Sequence, residues 1–154
     1  MRAALIALPL IVLGACSQEP EVKRGAPEAP APAAAASPTL ANVDLSQPVR
    51  LLGTEPFWAV EITPQALVYS GVDRPEQRAA NPGPAITGAV ATWEVKTDKG
   101  ADLKILLTAT ECSDGMSDRT YPLTARVQIA GETLNGCAAS TAALAMAGES
   151  GAVG

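Results

Sequence analysis

Apolar and polar side chains alternate with a period of two through most of the central part of the chain. In the first such segment Trp58, Val60 and Ile62 are separated by smaller or polar residues. The same alternation recurs in three later segments, 92–96, 103–110 and 123–129. A period of two is typical of half-buried antiparallel strands, and the helical spacing of i, i+3, i+4 is absent from these segments. We therefore predict an all-β domain, a small antiparallel barrel or sandwich.

Turn-forming residues separate the alternating segments. They are found at 63–65 (TPQ), 98–100 (DKG) and 130–132 (AGE), where strands are expected to reverse direction. We count six clear strands, with a seventh candidate at Val49–Leu52. The stretch from Asp73 to Gly88 holds three prolines and is predicted to be a longer loop.

The first sixteen residues are typical of a signal peptide. Arg2 precedes a run of twelve apolar residues, Ala3 to Gly14. A membrane-spanning helix needs roughly 20 apolar residues, so this run is too short to span a bilayer but has the length of a secretory h-region. It ends in Leu13-Gly14-Ala15-Cys16, which resembles the bacterial lipobox. We predict that residues 1–15 are removed and that Cys16 carries the lipid; the alternative is an ordinary signal peptide with a cysteine nearby by chance.

The residue after the predicted lipid attachment site bears on location. Ser17, rather than an aspartate, follows Cys16. By resemblance to the sorting rule of enteric bacteria, this favours anchoring in the outer membrane, facing the periplasm, over retention at the inner membrane. The acyl chains that processed lipoproteins carry would suffice for stable anchoring.

The composition excludes several classes of function. The 154 residues include no histidine, which removes His-based triads, a His general base and His metal ligands. Loss of Arg2 leaves 10 basic and 16 acidic side chains, so the formal net charge changes from -5 to -6. A chain this acidic lacks the basic face that nucleic-acid binding needs. No nucleophile has a visible base beside it, so we predict neither an enzyme nor a cofactor.

The remaining composition divides the mature chain into three parts. Residues 16–43 hold five prolines and an alanine run, and are predicted to be a flexible tether; plain disorder without a spacer role is the alternative. At about 3.1 Å per residue, some 25 residues reach about 75 Å at most. All five aromatic residues lie between 57 and 121, which places the β domain at 44–140. Residues 141–154 are rich in Ala, Gly and Ser and are predicted to be a disordered tail.

Two further cysteines lie within the predicted domain. Cys112 and Cys137 form an even pair in a chain predicted to be secreted, so a disulfide is the default expectation in the oxidising periplasm. It would close a loop of 26 residues and stabilise the fold by roughly 3–4 kcal/mol. The alternative is a pair of free redox thiols, although the C-x-x-C motif typical of that chemistry is missing.

Two segments supply candidate binding residues. In GTEPFW (53–58), the alternation directs Trp58 inward and Phe57 outward, where Phe57 can contact a ligand or partner; a strand start that only anchors the core is the alternative.

The second segment is CSDGMSDRTYP (112–122), in which we select Asp114, Met116, Asp118 and Arg119. The alternative is structural, with Arg119 pinning the loop through Asp114, Asp118 or Glu111. A calcium loop is a further alternative, but two aspartates fall short of the usual set of oxygen ligands, so no metal is predicted.

Together with LNGCA (134–138) behind a lipobox, these motifs resemble a family of small, uncharacterised bacterial envelope lipoproteins. The likeness covers about 85 residues, from Gly53 to Ala138. In setting it is similar to the membrane-bound inhibitors of c-type lysozyme and to the heat-inducible META-type domains. The resemblance implies a periplasm-facing β domain with Cys112 and Cys137 paired, and it implies no activity.

We therefore predict a lipid-anchored binding module of the cell envelope. A concrete form is inhibition of a lysozyme-like hydrolase, because a negatively charged chain would be steered toward a basic enzyme. The partners expected are the membrane, through Cys16, and an envelope protein, but no nucleic acid. The alternative is a structural or stress-response lipoprotein with no discrete ligand.

Overall fold

A computed structural model describes residues 37–72 and 74–154. The predicted signal peptide, Cys16 and the predicted tether up to residue 36 lie outside the described residues. In the described part, nine strands form an antiparallel sheet that curls into a half-barrel. The predicted all-β class and small antiparallel architecture are confirmed.

The elements of the described residues follow one another in this order: β1 (Thr39–Leu40), β2 (Val43–Asp44), β3 (Val49–Thr54), β4 (Phe57–Ile62), β5 (Ala66–Gly71), β6 (Arg74–Ala80), β7 (Ala85–Thr87), β8 (Val90–Lys96), β9 (Asp102–Thr108), β10 (Asp118–Thr120), β11 (Leu123–Ile129), β12 (Glu132–Ser140), α1 (Thr141–Met146) and β13 (Ser150–Ala152).

The nine-stranded sheet has the order β6-β5-β4-β3-β12-β11-β9-β8-β7. Two series of hairpins, β3 to β6 and β7 to β9, are joined in its middle by β12 and β11. At the open side of the half-barrel, β6 meets the turn after β8: Asp98 N donates to Arg78 O at 2.7 Å. Arg78 N in turn donates to the Asp98 carboxylate at 2.9 Å, so the two sides are linked without a continuous ladder.

The main core is built from the inward residues of the alternating strands. Trp58, Val60 and Ile62 are all buried, as the period of two predicts. Gly53 is the registered partner of Trp58, and Gly136 follows on the next strand. A Cβ on Gly53 would occupy the space of the Trp58 indole nitrogen, and one on Gly136 would meet Leu52 O. Gly53 therefore makes room for the indole, whereas Gly136 allows the close approach of the β3 backbone at Leu52, with the indole ring 2.9 Å from the same Cβ position.

A second, smaller apolar cluster covers the opposite face of β12. Ala138 belongs to the main core, whereas its neighbours Cys137 and Ala139 belong to the second cluster, because successive side chains of a strand point to opposite faces. Tyr121 and Val153 complete this cluster, both almost fully buried. Side chains of the C-terminal segment and of the 112–122 loop therefore pack together against the outer face of the sheet.

The predicted disordered tail over 141–154 is wrong. Residues 141–146 form α1, whose first turn is capped by the Ser140 hydroxyl accepting from Ala143 N at 3.1 Å. β13 then pairs in parallel with β10, and Val153 N donates to Thr120 O at 2.8 Å. Burial of Val153 in the second cluster and pairing with β10 hold this segment, although its composition is that of a tail.

Two other boundaries also differ from the prediction. The folded part begins before residue 44, since β1 and β2 form a hairpin through Ala41 and Asn42, both with positive φ, and bury Leu40. The predicted loop from Asp73 to Gly88 instead holds β6 and β7. β6 pairs with β5 as an edge strand, a position in which Pro75 is tolerated because no further strand needs its missing N–H.

Candidate functional site

The 112–122 loop is closed at its base by covalent and backbone links. Cys112 and Cys137 form a disulfide with a Cα–Cα separation of 5.5 Å, which confirms that prediction. Directly beside it, Cys112 and Tyr121 exchange two backbone hydrogen bonds, at 3.0 and 2.8 Å. The two ends of the loop are therefore fixed both to each other and to β12.

Asp114 organises the interior of the loop. Its carboxylate accepts hydrogen bonds from Met116 N (2.9 Å), from Ser117 N and Oγ (both 2.8 Å) and from the Tyr121 hydroxyl (2.8 Å). Gly115, with a φ of 72°, provides the left-handed turn that folds the backbone around the carboxylate. Asp114, predicted to contact a partner, thus binds its own loop.

These contacts change the ionisation of both side chains. Burial opposes the charge on Asp114, but the hydrogen bonds from Ser117, Met116 and Tyr121 outweigh it and hold the pKa of the carboxyl well below its usual value. Burial, followed by the hydrogen bond to Asp114, raises the pKa of Tyr121. Asp114 is therefore ionised and Tyr121 neutral at neutral pH, the pair of states that the hydrogen bond requires.

Arg119, predicted to contact a partner, bonds to the C-terminal segment of its own chain. Its Nε donates to Gly148 O at 2.6 Å, and its guanidinium lies 3.6 Å from the Glu149 carboxylate. The alternative to binding, a structural pairing with Asp114, Asp118 or Glu111, has the right kind of role but other partners, because the β10–β13 pairing brings the C-terminal segment beside Arg119. Arg119 anchors that segment to the loop.

The side chains of Met116 and Phe57 are exposed to solvent. Met116 is 68% exposed and Phe57 58%. The Thr54 hydroxyl donates to Asp114 O at 3.1 Å, which places the loop beside the end of β3, where Thr54 pairs with Phe57 of β4. Val72, 70% exposed, joins the same end of the molecule because its N–H donates to Phe57 O at 3.3 Å. We call Phe57, Val72 and Met116 the loop-tip surface.

Acidic side chains flank the loop-tip surface. Glu55 lies in the turn before Phe57, and Asp118 lies two residues after Met116; both are exposed. Among the described residues the Asp118 carboxylate has no hydrogen-bond or ion-pair partner. Of the five residues predicted to bind, Phe57, Met116 and Asp118 are thus available to a partner, whereas Asp114 and Arg119 are used within the fold.

Sequence reasoning missed Val72 and Thr54. Val72 lies just before the predicted loop from Asp73 to Gly88, where a single apolar residue gives no signal of exposure. Thr54 belongs to the GTEPFW motif, and its bond to Asp114 spans 60 residues of sequence. Contacts of that separation have no local pattern from which they can be predicted.

Two hollows lie away from the loop-tip surface. The first, about 870 Å³, is formed by α1, residues 41–44, Pro48, Tyr121, Pro122 and Val153; we call it the helix groove. The second, about 720 Å³, is lined by charged side chains from β8, β9 and the β11–β12 turn. Its lysines are paired, Lys104 with Glu94 and Lys96 with Asp102 at 2.7 Å. It therefore offers little free charge to a ligand.

The described residues also bear on metals and membranes. Within 37–72 and 74–154, no three Cys, Asp or Glu side chains converge in a way that could hold a metal ion. In the same residues, no helical segment combines the length and apolar character that crossing a bilayer requires.

Comparison of the chain with protein-family models, with curated proteins and with solved structures found no match. The resemblance to envelope lipoproteins therefore remains a prediction from the motifs.

Proposed function

We propose that the chain is a lipid-anchored binding protein of the bacterial envelope and that the loop-tip surface contacts its partner. The lipid anchor is supported by the Leu13–Cys16 sequence behind a short apolar run. The disulfide is consistent with an oxidising compartment. Anchoring in the outer membrane, facing the periplasm, rests on Ser17 alone.

The observation that carries the binding proposal is the exposure of Phe57 and Met116 on a rigid support. Aromatic and methionine side chains are enriched in protein interfaces, and apolar groups this exposed gain free energy when a partner covers them. The disulfide and the Asp114 hydrogen bonds fix the loop before binding. A fixed loop loses little conformational entropy on association, which raises affinity for a given contact area.

A basic lysozyme-like hydrolase is the partner class that the charge favours. The mature chain has a net charge of -6, and Glu55 and Asp118 flank the apolar residues of the loop-tip surface. Opposite charge accelerates encounter and aligns the two surfaces. In this form of the proposal, Met116 and Phe57 would insert at or near the substrate cleft and block it.

The test is residual muramidase activity in the presence of residues 17–154, which include every described residue. We expect activity to fall with increasing concentration of the protein, and the inhibition to weaken at high salt because surface charges are then screened. Full activity at a micromolar concentration of the folded protein would contradict the hydrolase form of the proposal.

A structural or stress-response lipoprotein without a discrete ligand is the second candidate. It is favoured by the internal use of Asp114 and Arg119, which makes most of the loop's polar chemistry architectural. If the chain has no discrete ligand, the Asp118→Ala, Arg119→Ala double variant should melt at a lower temperature than the unchanged chain. It should still capture the same envelope proteins. Loss of a captured partner without a change in melting temperature would contradict this candidate.

A further inference from the structure

The helix groove presents an apolar surface that the described residues leave uncovered. Every residue of α1 after Thr141 is apolar, yet none of them is buried, and Met146 is 82% exposed. Val43, Pro48 and Val153 extend the apolar lining beyond the helix. A continuous apolar surface of this kind on a folded domain marks a site of interaction.

Polar side chains along the groove have hydrogen-bonding groups that the fold does not use. Asn42, Glu111 and Thr120 line the groove, and among the described residues their side chains have no hydrogen-bond or ion-pair partner. One carboxylate oxygen of Asp44 accepts from Ser46 N and Oγ, and the second has no partner in the same part of the chain. A wholly apolar ligand would bury these groups unpaired, which costs free energy. The occupant must therefore contain polar as well as apolar groups.

The charge of the lining has one sign. Of the described residues that line the groove, Asp44 and Glu111 are the charged ones, and no lysine or arginine is among them. Hydrogen bonds from Ser46 lower the pKa of the Asp44 carboxyl, so it is ionised at neutral pH. The net charge of -5 on the whole chain has the same sign. The groove therefore repels an anionic ligand and attracts a cationic one.

These features together select a ligand of a particular composition. The apolar lining requires apolar groups, the two carboxylates require a cation, and Asn42 and Thr120 require hydrogen-bond donors and acceptors. A peptide segment supplies all three, because its backbone carries N–H and C=O groups and its side chains can be apolar or basic. A hydrocarbon lacks the last two, and a neutral sugar lacks the cation. The volume of about 870 Å³ suits a segment of a few residues.

We propose that the helix groove binds a short peptide segment of a partner protein, one that combines apolar side chains with lysine or arginine. The apolar side chains cover α1, and the basic side chain pairs with Glu111 and with the second carboxylate oxygen of Asp44. The peptide backbone bonds to Asn42 and Thr120. The groove shares no residue with the loop-tip surface, so this inference does not rest on the proposed function.

Titration calorimetry of residues 17–154 with synthetic hexapeptides tests the inference. The peptides are acetylated and amidated, so that their ends carry no charge. The first contains leucine and lysine in equal number, the second has glutamate in place of lysine, and the third has serine in place of leucine. We expect the first to bind at micromolar concentration, with one peptide per protein, and the other two to bind at least tenfold more weakly.

Two substitutions in the groove locate the binding. Glu111→Gln nearly keeps the size of the side chain but removes its charge, and should weaken binding of the leucine–lysine peptide about threefold. Ala145→Lys places a cation in the groove and should weaken that binding at least tenfold. The matched controls, Glu76→Gln on β6 and Ala89→Lys at an exposed turn, lie outside the groove and should leave the dissociation constant unchanged. Melting curves of all four variants establish that they fold.

The inference is overturned if the glutamate peptide or the serine peptide binds as tightly as the leucine–lysine peptide, or if none of the peptides binds at millimolar concentration. If neither groove variant weakened binding more than its control, the overall charge of the chain would account for the binding, and the groove would not be the site. A dimer of the unbound protein that sediments as a monomer after Ala145→Lys would overturn the inference in favour of a second copy in the groove.

Discussion

Asp114 shows how one residue can be conspicuous in the sequence for a reason other than binding. A short carboxylate among Ser and Gly residues was predicted to face a partner, yet it accepts four hydrogen bonds from its own loop. Asp side chains readily bond to backbone N–H groups two and three residues ahead, and this loop supplies both. A high density of turn-forming residues is typical of functional loops, but it is equally typical of loops that are fixed by their own hydrogen bonds.

Asp114→Asn should lower the free energy of unfolding by about 2 kcal/mol at pH 7, because the charged acceptor is lost. The native pKa lies below the ordinary value of 3.8. The carboxylate therefore contributes its full stabilisation above about pH 4, and the contribution is lost as the pH falls toward the native pKa. Urea unfolding at pH 7 and pH 3 measures this.

The unchanged protein and the Asp114→Asn variant should therefore differ more in free energy of unfolding at pH 7 than at pH 3. Asp118→Asn is the control, since that exposed carboxylate has no partner among the described residues, and it should change stability little at either pH. If Asp114→Asn lowered the free energy of unfolding equally at pH 7 and pH 3, ionisation of Asp114 would not stabilise the loop.

Gly53 is a residue whose role depends on close approach. Gly53→Ala should destabilise the protein by about 3 kcal/mol, because the added methyl group would overlap the Trp58 indole. Gly148→Ala is the matched control, because a Cβ there meets nothing within 4 Å. Denaturant unfolding measures both. Trp58→Phe combined with Gly53→Ala should recover part of the loss; additive losses would place the cause elsewhere than at the indole.

At the scale of elements, strands were predictable where alternation and burial coincide. β4, β8, β9 and β11 carry that signal and were predicted from it. β6 (RPEQRAA) has no β-branched or aromatic residue, and β13 (SGA) has almost no side chains. Both are strands because a neighbour supplies hydrogen bonds, which is a property of the tertiary structure and not of the segment.

The C-terminal segment gives a test at this scale. Val153→Asp should cost about 3 kcal/mol or more, because a charge would be placed among Tyr121, Cys137 and Ala139. Ala152→Asp changes the exposed neighbour and should be nearly neutral. Thermal unfolding of the two variants compares them. Equal melting temperatures would mean that the segment does not pack against the domain in solution.

At the scale of the whole molecule, the exposed residues of the site could be predicted from the sequence better than the hydrogen bonds that hold its loop in place. Phe57 and Met116 could be selected because one follows from strand alternation and the other lies in a loop. The bond from Thr54 to Asp114 and the contact of Arg119 with Gly148 join segments 60 and 29 residues apart. Only the folded chain brings them together, so no local pattern predicts them.

The proposed membrane attachment also concerns the whole molecule. Cys16→Ala should move the protein from the membrane fraction to the soluble fraction and abolish incorporation of labelled fatty acid, because the predicted site of acylation is removed. Fractionation and acyl labelling of cells that express either form measure this. The Cys112→Ala, Cys137→Ala variant, which lacks the disulfide but keeps Cys16, should still be labelled. Retention of unlabelled Cys16→Ala in the membrane would contradict the lipid anchor.

The most direct test of the proposed function is the dissociation constant between residues 17–154 and a basic c-type lysozyme, measured by calorimetry. Removal of the apolar contacts by Phe57→Ala with Met116→Ala should weaken binding by about tenfold or more. The melting temperature should stay nearly constant, since both side chains are largely exposed. Ile86→Ala, an exposed apolar residue on β7, should leave the constant unchanged. An equal dissociation constant for the unchanged chain and the double variant would contradict a binding role for the loop-tip surface.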